Sequence, residues 1–322
     1  MTRYVAGRLL ESLVVLAIMS FVIYGLIGLM PGDPIDIMVQ ADPNLTRADA
    51  ARLKGLYGLD KPLHERYANW LGAALGGDFG YSRVHSRPVL DVLGPRMLNT
   101  LLLMGLSFVA SLAIALPVGI YSALRPYSLR DYAINFGALA GISVPVFWFA
   151  LMLIYLFSVV WGVLPAGGMY TIGVDSVLDR ARHLVLPVLT LSAGTVGGFT
   201  RFMRAEMMVT MRHDYIRTAR AKGLSPRRVV LKHALRNALI PVVTIAALSF
   251  GGLFSGALIT ETMFSYLGMG KLIYDSIMGN DYNVALVTLL FATMVVLLAN
   301  LLADVCYAWL DPRISYRGER TP

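Results

Sequence analysis

Apolar residues in this chain gather in long blocks, not in the period-two alternation of a half-buried strand or the one-sided stripe of a surface helix. Six blocks stand out, near Leu9–Met30, Met97–Leu124, Tyr132–Val163, Leu184–Met208, Asn237–Phe264 and Val284–Trp309. Each holds about the 20 residues a helix needs to cross hydrocarbon. They predict an all-α integral membrane protein with six transmembrane helices. Pro117, Pro145, Pro187 and Pro241 lie inside the blocks and predict kinks that neighbouring helices must compensate. The third block is the least defined at its ends, and two short helices stay open there. A soluble bundle of six buried helices does not fit this length and apolarity.

Arg3 and Arg8 precede the first block, which raises the question of a cleaved leader. The block exceeds the roughly 7–15 apolar residues of a signal peptide, and no small-residue cleavage site follows. It reads as a retained span. Orientation follows from the basic residues flanking the spans. With the N-terminus inside, the inner segments hold Arg3, Arg8, Arg125, Arg130, Arg201, Arg204, Arg212, Arg217, Arg220, Lys222, Arg227, Arg228, Lys232, Arg236, Arg313, Arg317 and Arg320. The two short outer loops hold only Arg180, Arg182 and Lys271. The segment from Pro31 to Arg96 is long enough to translocate regardless of its charge. Both termini are expected inside.

Composition agrees: 57% of residues are hydrophobic and 15% charged, with mean hydropathy +0.63. The net charge of +8 sits beside the spans, so it points to topology and contact with membrane lipid headgroups, not to nucleic acid. The single cysteine, Cys306, excludes an intrachain disulfide. No internal repeat is visible.

The chain lacks the usual chemistry of self-sufficient transport or catalysis. Ion-driven carriers place ionisable groups inside the membrane, whereas Glu11, Glu206, Glu261 and Asp304 fall toward span ends within reach of an interface. No phosphate loop is present: Gly268-Met-Gly-Lys271-Leu272 lacks both the spacing and the hydroxyl. No pair of mid-membrane aspartates appears. His64, His85, His183, His213 and His233 are scattered, with neither a metal cluster nor a Ser–His set. Energy for any uphill movement must come from another chain.

The segment Asp214–Pro241, DYIRTARAKGLSPRRVVLKHALRNALIP, is the most distinctive polar stretch. Asp214 is placed to cap a helix over Tyr215–Lys222, and Gly223 supplies a left-handed stop. Ser225 is placed to cap a second helix with Pro226 at its first position. A helix of eight residues is unstable alone in water, so it must dock on something. The alternative is a basic helix lying on headgroups.

These residues carry a family resemblance. Tyr215–Gly223 followed by Ser225–Pro241 resembles the cytoplasmic loop of bacterial ABC importer permeases, and specifically the first permease of the dipeptide/oligopeptide type. Pro31-Gly-Asp-Pro34, Gly58-Leu-Asp-Lys-Pro62, Gly77-Asp-Phe-Gly80, Pro145-Val-Phe-Trp148, Leu184–Pro187, Thr260-Glu-Thr262 and Asp311-Pro-Arg313 match the same branch, so the resemblance runs from Tyr4 to Ile314. Of the general importer pattern E-A-A-x3-G-x9-I-x-L-P, only Ala219, Gly223 and Leu235 match, and Pro241 falls five residues late. The form Arg217-Thr-Ala-Arg-Ala-Lys-Gly-Leu224 is that of the peptide-type branch.

The resemblance implies a type I importer permease fold in a bacterial inner membrane. It also implies a homologous second permease, two cytoplasmic ATPase subunits that bind ATP and Mg, and a periplasmic solute-binding protein. No catalytic residue, cofactor or metal is expected in this chain. Asp214, Tyr215, Ile216, Arg217, Thr218, Ala219, Arg220, Ala221, Lys222 and Gly223 are the residues expected to couple to the ATPase. In this reading Ala219 and Ala221 keep the helix narrow and Tyr215 and Ile216 anchor it. Arg220 and Lys222 suit the helix C-terminus and acidic groups on the partner. Translocation-path candidates are Ser107, Ser111, Asn135, Ser143, Thr190, Ser192, Thr195, Thr244, Ser249 and Ser255, against the alternative of hydroxyls bonding helix to helix. Gly251-Gly252-x-x-x-Gly256 permits close packing or a gate. The expected organisation is a first span over 1–30, an outer cap over 31–96, a permease core over 97–309 with its coupling loop at 209–236, and a tail over 310–322. Thr46-Arg-Ala-Asp49 predicts a cap helix over Arg47–Leu56; the cap either docks the binding protein or braces span two. A self-sufficient carrier or a membrane enzyme is the competing class.

Overall fold

A computed structural model describes residues 2–29 and 61–310 of the chain. The predicted helix Arg47–Leu56, the Pro31–Pro34 motif and the tail from Asp311 lie outside the described residues. The fold is helical: α1 (Thr2–Gly28), α2 (Leu63–Leu75), a hairpin of β1 (Tyr81–Ser82) and β2 (Arg87–Pro88), and α3 (Val89–Leu124) come first. Then follow α4 (Leu129–Ser143), α5 (Val146–Leu153), α6 (Val177–Thr210) and α7 (Asp214–Ala221). The last elements are α8 (Pro226–Phe250), α9 (Leu253–Met263), α10 (Met269–Met278) and α11 (Tyr282–Leu310). The helices α1, α3, α6, α8 and α11 are long and apolar enough to span a bilayer, and a bent pair supplies a sixth crossing.

Two predicted spans are divided. The third block forms α4 and then α5, which continues as a π-helical run over Ile154–Val160, and the two arms meet at 105°. Pro145 explains the corner. It has no N–H to donate and disfavours helical geometry at the residue before it, and Val144 is extended at φ −76°, ψ 126°. The fifth block is divided at Gly251–Gly252, where two poor helix formers adjoin. Its helix begins well before Asn237, at Pro226, so the second short helix expected there is the start of span five itself.

The chain divides into two compact units. The larger contains Leu101–Tyr266, and glycines bring its helix backbones together. A Cβ on Gly119 of α3 would lie 2.7 Å from the Thr200 carbonyl of α6, and one on Gly197 would collide with the Ala138 carbonyl of α4. Such approach is the usual basis of helix association in lipid, where dispersion replaces the hydrophobic effect. Leu103, Met104, Leu191, Leu253, Ala257 and Tyr266 fill one core layer; Ala115, Phe199 and Ala246 fill another. In the loops that follow α5 and α9, Gly168 donates to the Phe264 carbonyl at 2.8 Å, and Gly167 leaves no room for a side chain there.

The smaller unit gathers the described parts of Gly7–Thr100 with Leu267–Val295. Ile23 and Ile27 of α1 pack on Ala285 and Leu286 of α11. Tyr24, Tyr67 and Trp70 form an aromatic group beside them, tied by a 2.6 Å hydrogen bond between the Ser20 and Tyr67 hydroxyls.

Candidate coupling site

Helix α7 is short because its sequence stops it on both sides. His213 occupies the cap position in extended geometry, so Asp214 stands in the first turn, not at the cap as predicted. There its carboxylate still favours the positive helix end and meets Arg217 at 3.3 Å. Gly223 has φ +73°, the left-handed value that ends the helix without a Cβ penalty. Ser225 precedes Pro226 in extended geometry but makes no side-chain capping bond.

The helix docks on its own chain. Ile216 is 0% exposed and Ala219 is buried; both lie in a core with Ala123 of α3, Met203 and Met207 of α6, and Val229, Ala234, Ala238 and Val242 of α8. That corrects the expectation that Ile216 anchors, and Ala219 narrows, an outward-facing peg. The spacing of three between them defines the inward face. Tyr215, Arg217, Thr218, Arg220, Ala221 and Lys222 are left exposed. Tyr215 stacks on His213 with centroids 5.5 Å apart; burial of part of its ring pushes its phenol pKa up, countered by a hydrogen bond with Asn237. Arg227, Arg228 and Lys232 are also exposed, so the outer surface of the whole turn is cationic.

A polar cluster that sequence reasoning missed joins α3, α4 and α6. Asp131, 2% exposed, receives both Nε and Nη2 of Arg204 at 2.6 Å. It also accepts from the Tyr127 N–H at 2.8 Å, from Asn135 Nδ2 at 2.8 Å, and from the Ser122 hydroxyl. Tyr127 sits at φ +63°, a geometry uncommon for a residue with a Cβ and held here by that bond. Arg204 is next to Met203, which touches the same core as Ile216. The clamp joins the start of α4, the end of α3 and the C-terminal part of α6 into one block. Ser128-x-x-Asp131 was the only local sign: the Ser128 hydroxyl accepts from the Asp131 N–H at 3.3 Å.

The path candidates separate into groups. Ser107, Ser111, Thr190 and Ser192 are buried. Ser111 donates to the Ser107 carbonyl at 2.7 Å and reaches the Ser192 carbonyl at 3.5 Å; Ser192 bonds the Leu189 carbonyl, while the hydroxyls of Ser107 and Thr190 have no hydrogen-bond partner among the described residues. Thr195 is half-buried and Ser143 exposed. Thr244 and Ser249 bond carbonyls one turn earlier in α8, and Asn135 belongs to the Asp131 cluster. The Ser255 side chain lies outside the described residues. Glu261, expected near an interface, is 0% exposed near the C-terminal end of α9, and its charge adds to burial in pushing the Tyr266 pKa up to about 12.

The fold defines a multi-pass membrane protein. Residues 115–316 match the family described as binding-protein-dependent transport system inner membrane component, and residues 1–104 match its N-terminal region. The chain belongs to this family of ABC importer permeases. It is 40% identical to the oligopeptide transport system permease AppB of Bacillus subtilis over 98% of this chain and 100% of that one. It is 39% identical to OppB of Mycobacterium bovis, over 98% of this chain and 99% of that one. With the glutathione transport system permease GsiC of Escherichia coli it shares 38% identity over 98% of this chain and 100% of that one. Among solved structures, an inward-facing MetNI methionine ABC transporter matches with TM-score 0.55 at 19% identity, over 69% of this chain and 97% of that one, and supports the fold.

Proposed function

We propose that this chain forms half of a translocation pathway for oligopeptides or peptide-like solutes, paired with a homologous permease in a bacterial inner membrane. Both termini face the cytoplasm. Two ATPase subunits, holding the ATP and Mg, press on α7, and a soluble binding protein delivers the solute from outside. The observation that carries this reading is the construction of α7: an inner face sealed into the ends of three spans and an outer face of cations open to a partner. Closure of the ATPase pair moves α7, and the buried contacts of Ile216 and Ala219 pass that movement to α3, α6 and α8. Relatives named for oligopeptides and for glutathione support a cargo with peptide bonds and terminal charges.

The test is uptake of labelled di- to pentapeptides and of glutathione into proteoliposomes holding the assembled complex, with and without ATP and binding protein. Uptake is expected only with both. Uptake by this chain alone, or without ATP, would replace the proposal with the self-sufficient carrier.

A further inference from the structure

Among the described residues, two buried aspartates gather converging donors. Asp281 accepts from the Ser82 hydroxyl at 2.5 Å and from the N–H groups of Val84 and Arg83, and so fastens one loop to another. Asp131 fastens helix to helix. Its donors come from the last turn of α3 (Ser122), the turn that follows (Tyr127), α4 itself (Asn135) and α6 (Arg204).

The four helices around α7 are not joined to it alike. The core that seats Ile216 and Ala219 draws on α3, α6 and α8, and no described residue of α4 enters it. Two members of that core, Ala123 and Met203, are the chain neighbours of Ser122 and Arg204. A Cβ on Gly119 of α3 would lie 2.8 Å from the Met203 Cβ and 3.2 Å from the Arg204 nitrogen, so α3 and α6 are in close contact there without help. Farther along, α4 meets α6 through small residues: Gly197 faces the Ala138 carbonyl, and Gly141 faces the Ala193 carbonyl. Dispersion holds such contacts, each weak and poorly directional, and packed helices can shear along them. A guanidinium fork on a carboxylate does not slide, because two parallel bonds fix distance and angle together. A buried ion pair adds little stability over an apolar replacement; its best-attested use is to fix one register. Beyond the Pro145 corner, Ala150 and Leu153 of α5 pack with Leu186 and Phe264. The arm of α4 and α5 is thus a second connection between the two ends of span five.

We infer, resting on the importer reading above, that Asp131 and Arg204 are positioning residues of the transport cycle. They hold α4 in register with the seat of α7, so that the bent arm follows α7 when it moves. The test uses the assembled complex in proteoliposomes with its binding protein, and reads labelled tripeptide taken up per ATP hydrolysed. Asp131→Asn keeps an acceptor but loses the charge and one partner of the fork. It should lower the ratio about fivefold, with hydrolysis per assembled complex within about twofold of wild type. Arg204→Lys keeps the charge without the fork and should lower the ratio as well. Leu191→Ala, a core truncation outside the cluster, should reduce the yield of complex and leave the ratio unchanged. Register is read directly from spin labels on Leu139→Cys of α4 and Val209→Cys of α6, both exposed, in a Cys306→Ser background. The wild-type distance distribution should be narrow with ATP absent and with ATP and vanadate bound. Asp131→Asn and Arg204→Lys should broaden it in both states. A ratio unchanged in both variants, or lowered equally by Leu191→Ala, overturns the inference. So does a label distribution that both variants leave narrow. Peptide uptake by the wild-type complex without ATP would instead overturn the importer reading, and the label distributions would still decide whether the cluster holds register.

Discussion

Arg204 closes on Asp131 through two hydrogen bonds of 2.6 Å, across 73 positions of sequence, between the C-terminal part of α6 and the start of α4. The pair is buried on the aspartate side, and the carboxylate is also bound by a hydroxyl, a backbone N–H and an amide. Coulomb attraction alone does not repay burial of an ion pair; the extra donors on Asp131 are what make it favourable.

Removing one member should therefore be worse than a surface salt bridge would suggest. Arg204→Ala leaves a buried charge and is expected to destabilise by about 3–5 kcal/mol. The exchanged double variant Asp131→Arg/Arg204→Asp should not restore stability, because the Ser122 hydroxyl and the Tyr127 N–H would then face a donor. Thermal unfolding in detergent, followed by size-exclusion of the assembled complex, checks both.

Two faces of α7 should respond differently. Ala219→Glu forces a carboxylate into the core of Ile216 and Met207, so it should reduce folded protein by more than tenfold and act as a stability defect. Arg217→Glu and Lys222→Glu, both exposed, should leave membrane levels unchanged while reducing ATP-driven uptake several-fold. Quantitative membrane fluorescence beside an uptake assay separates the two outcomes.

Gly223→Ala should lower stability by about 1–2 kcal/mol, since φ +73° crowds a Cβ against the following carbonyl. Gly223→Pro, whose ring forbids that φ altogether, should abolish ATP-driven uptake. Chemical unfolding of the Ala variant and uptake by the Pro variant measure the series.

Tyr266 sets an alkaline limit. Its pKa, pushed up to about 12 by burial and by Glu261, means the folded state holds the phenolic proton more tightly than the unfolded chain does. Its stabilising contribution is whole below the unfolded value near 10 and is lost as pH rises toward 12. Tyr266→Phe should show a shallower loss of unfolding temperature across that window, measured in detergent at successive pH values.

The six apolar blocks were legible because a span is a property of composition over about 20 residues. Pro145 announced a bend but not its size, since 105° reflects where α5 finds packing partners. Gly251–Gly252 was read for close approach, and the break there is the other consequence of the same missing side chains. Ile216 and Ala219 illustrate the deeper limit: spacing marks one face of a helix without saying which side of the molecule it meets. Asp131 with Arg204, and Asp281 with Ser82, join positions far apart in the chain, and no local pattern encodes such partners.

Span five contains a π-helical run at Val229–Ala234, whose two ends lie in the core that seats α7. Such a run carries one surplus residue within an otherwise ordinary helix. The chain therefore has slack at the joint between α7 and span five. Deleting a single residue there can be absorbed by returning to ordinary pitch, so natural length variation should be tolerated at this joint when it is refused a turn to either side.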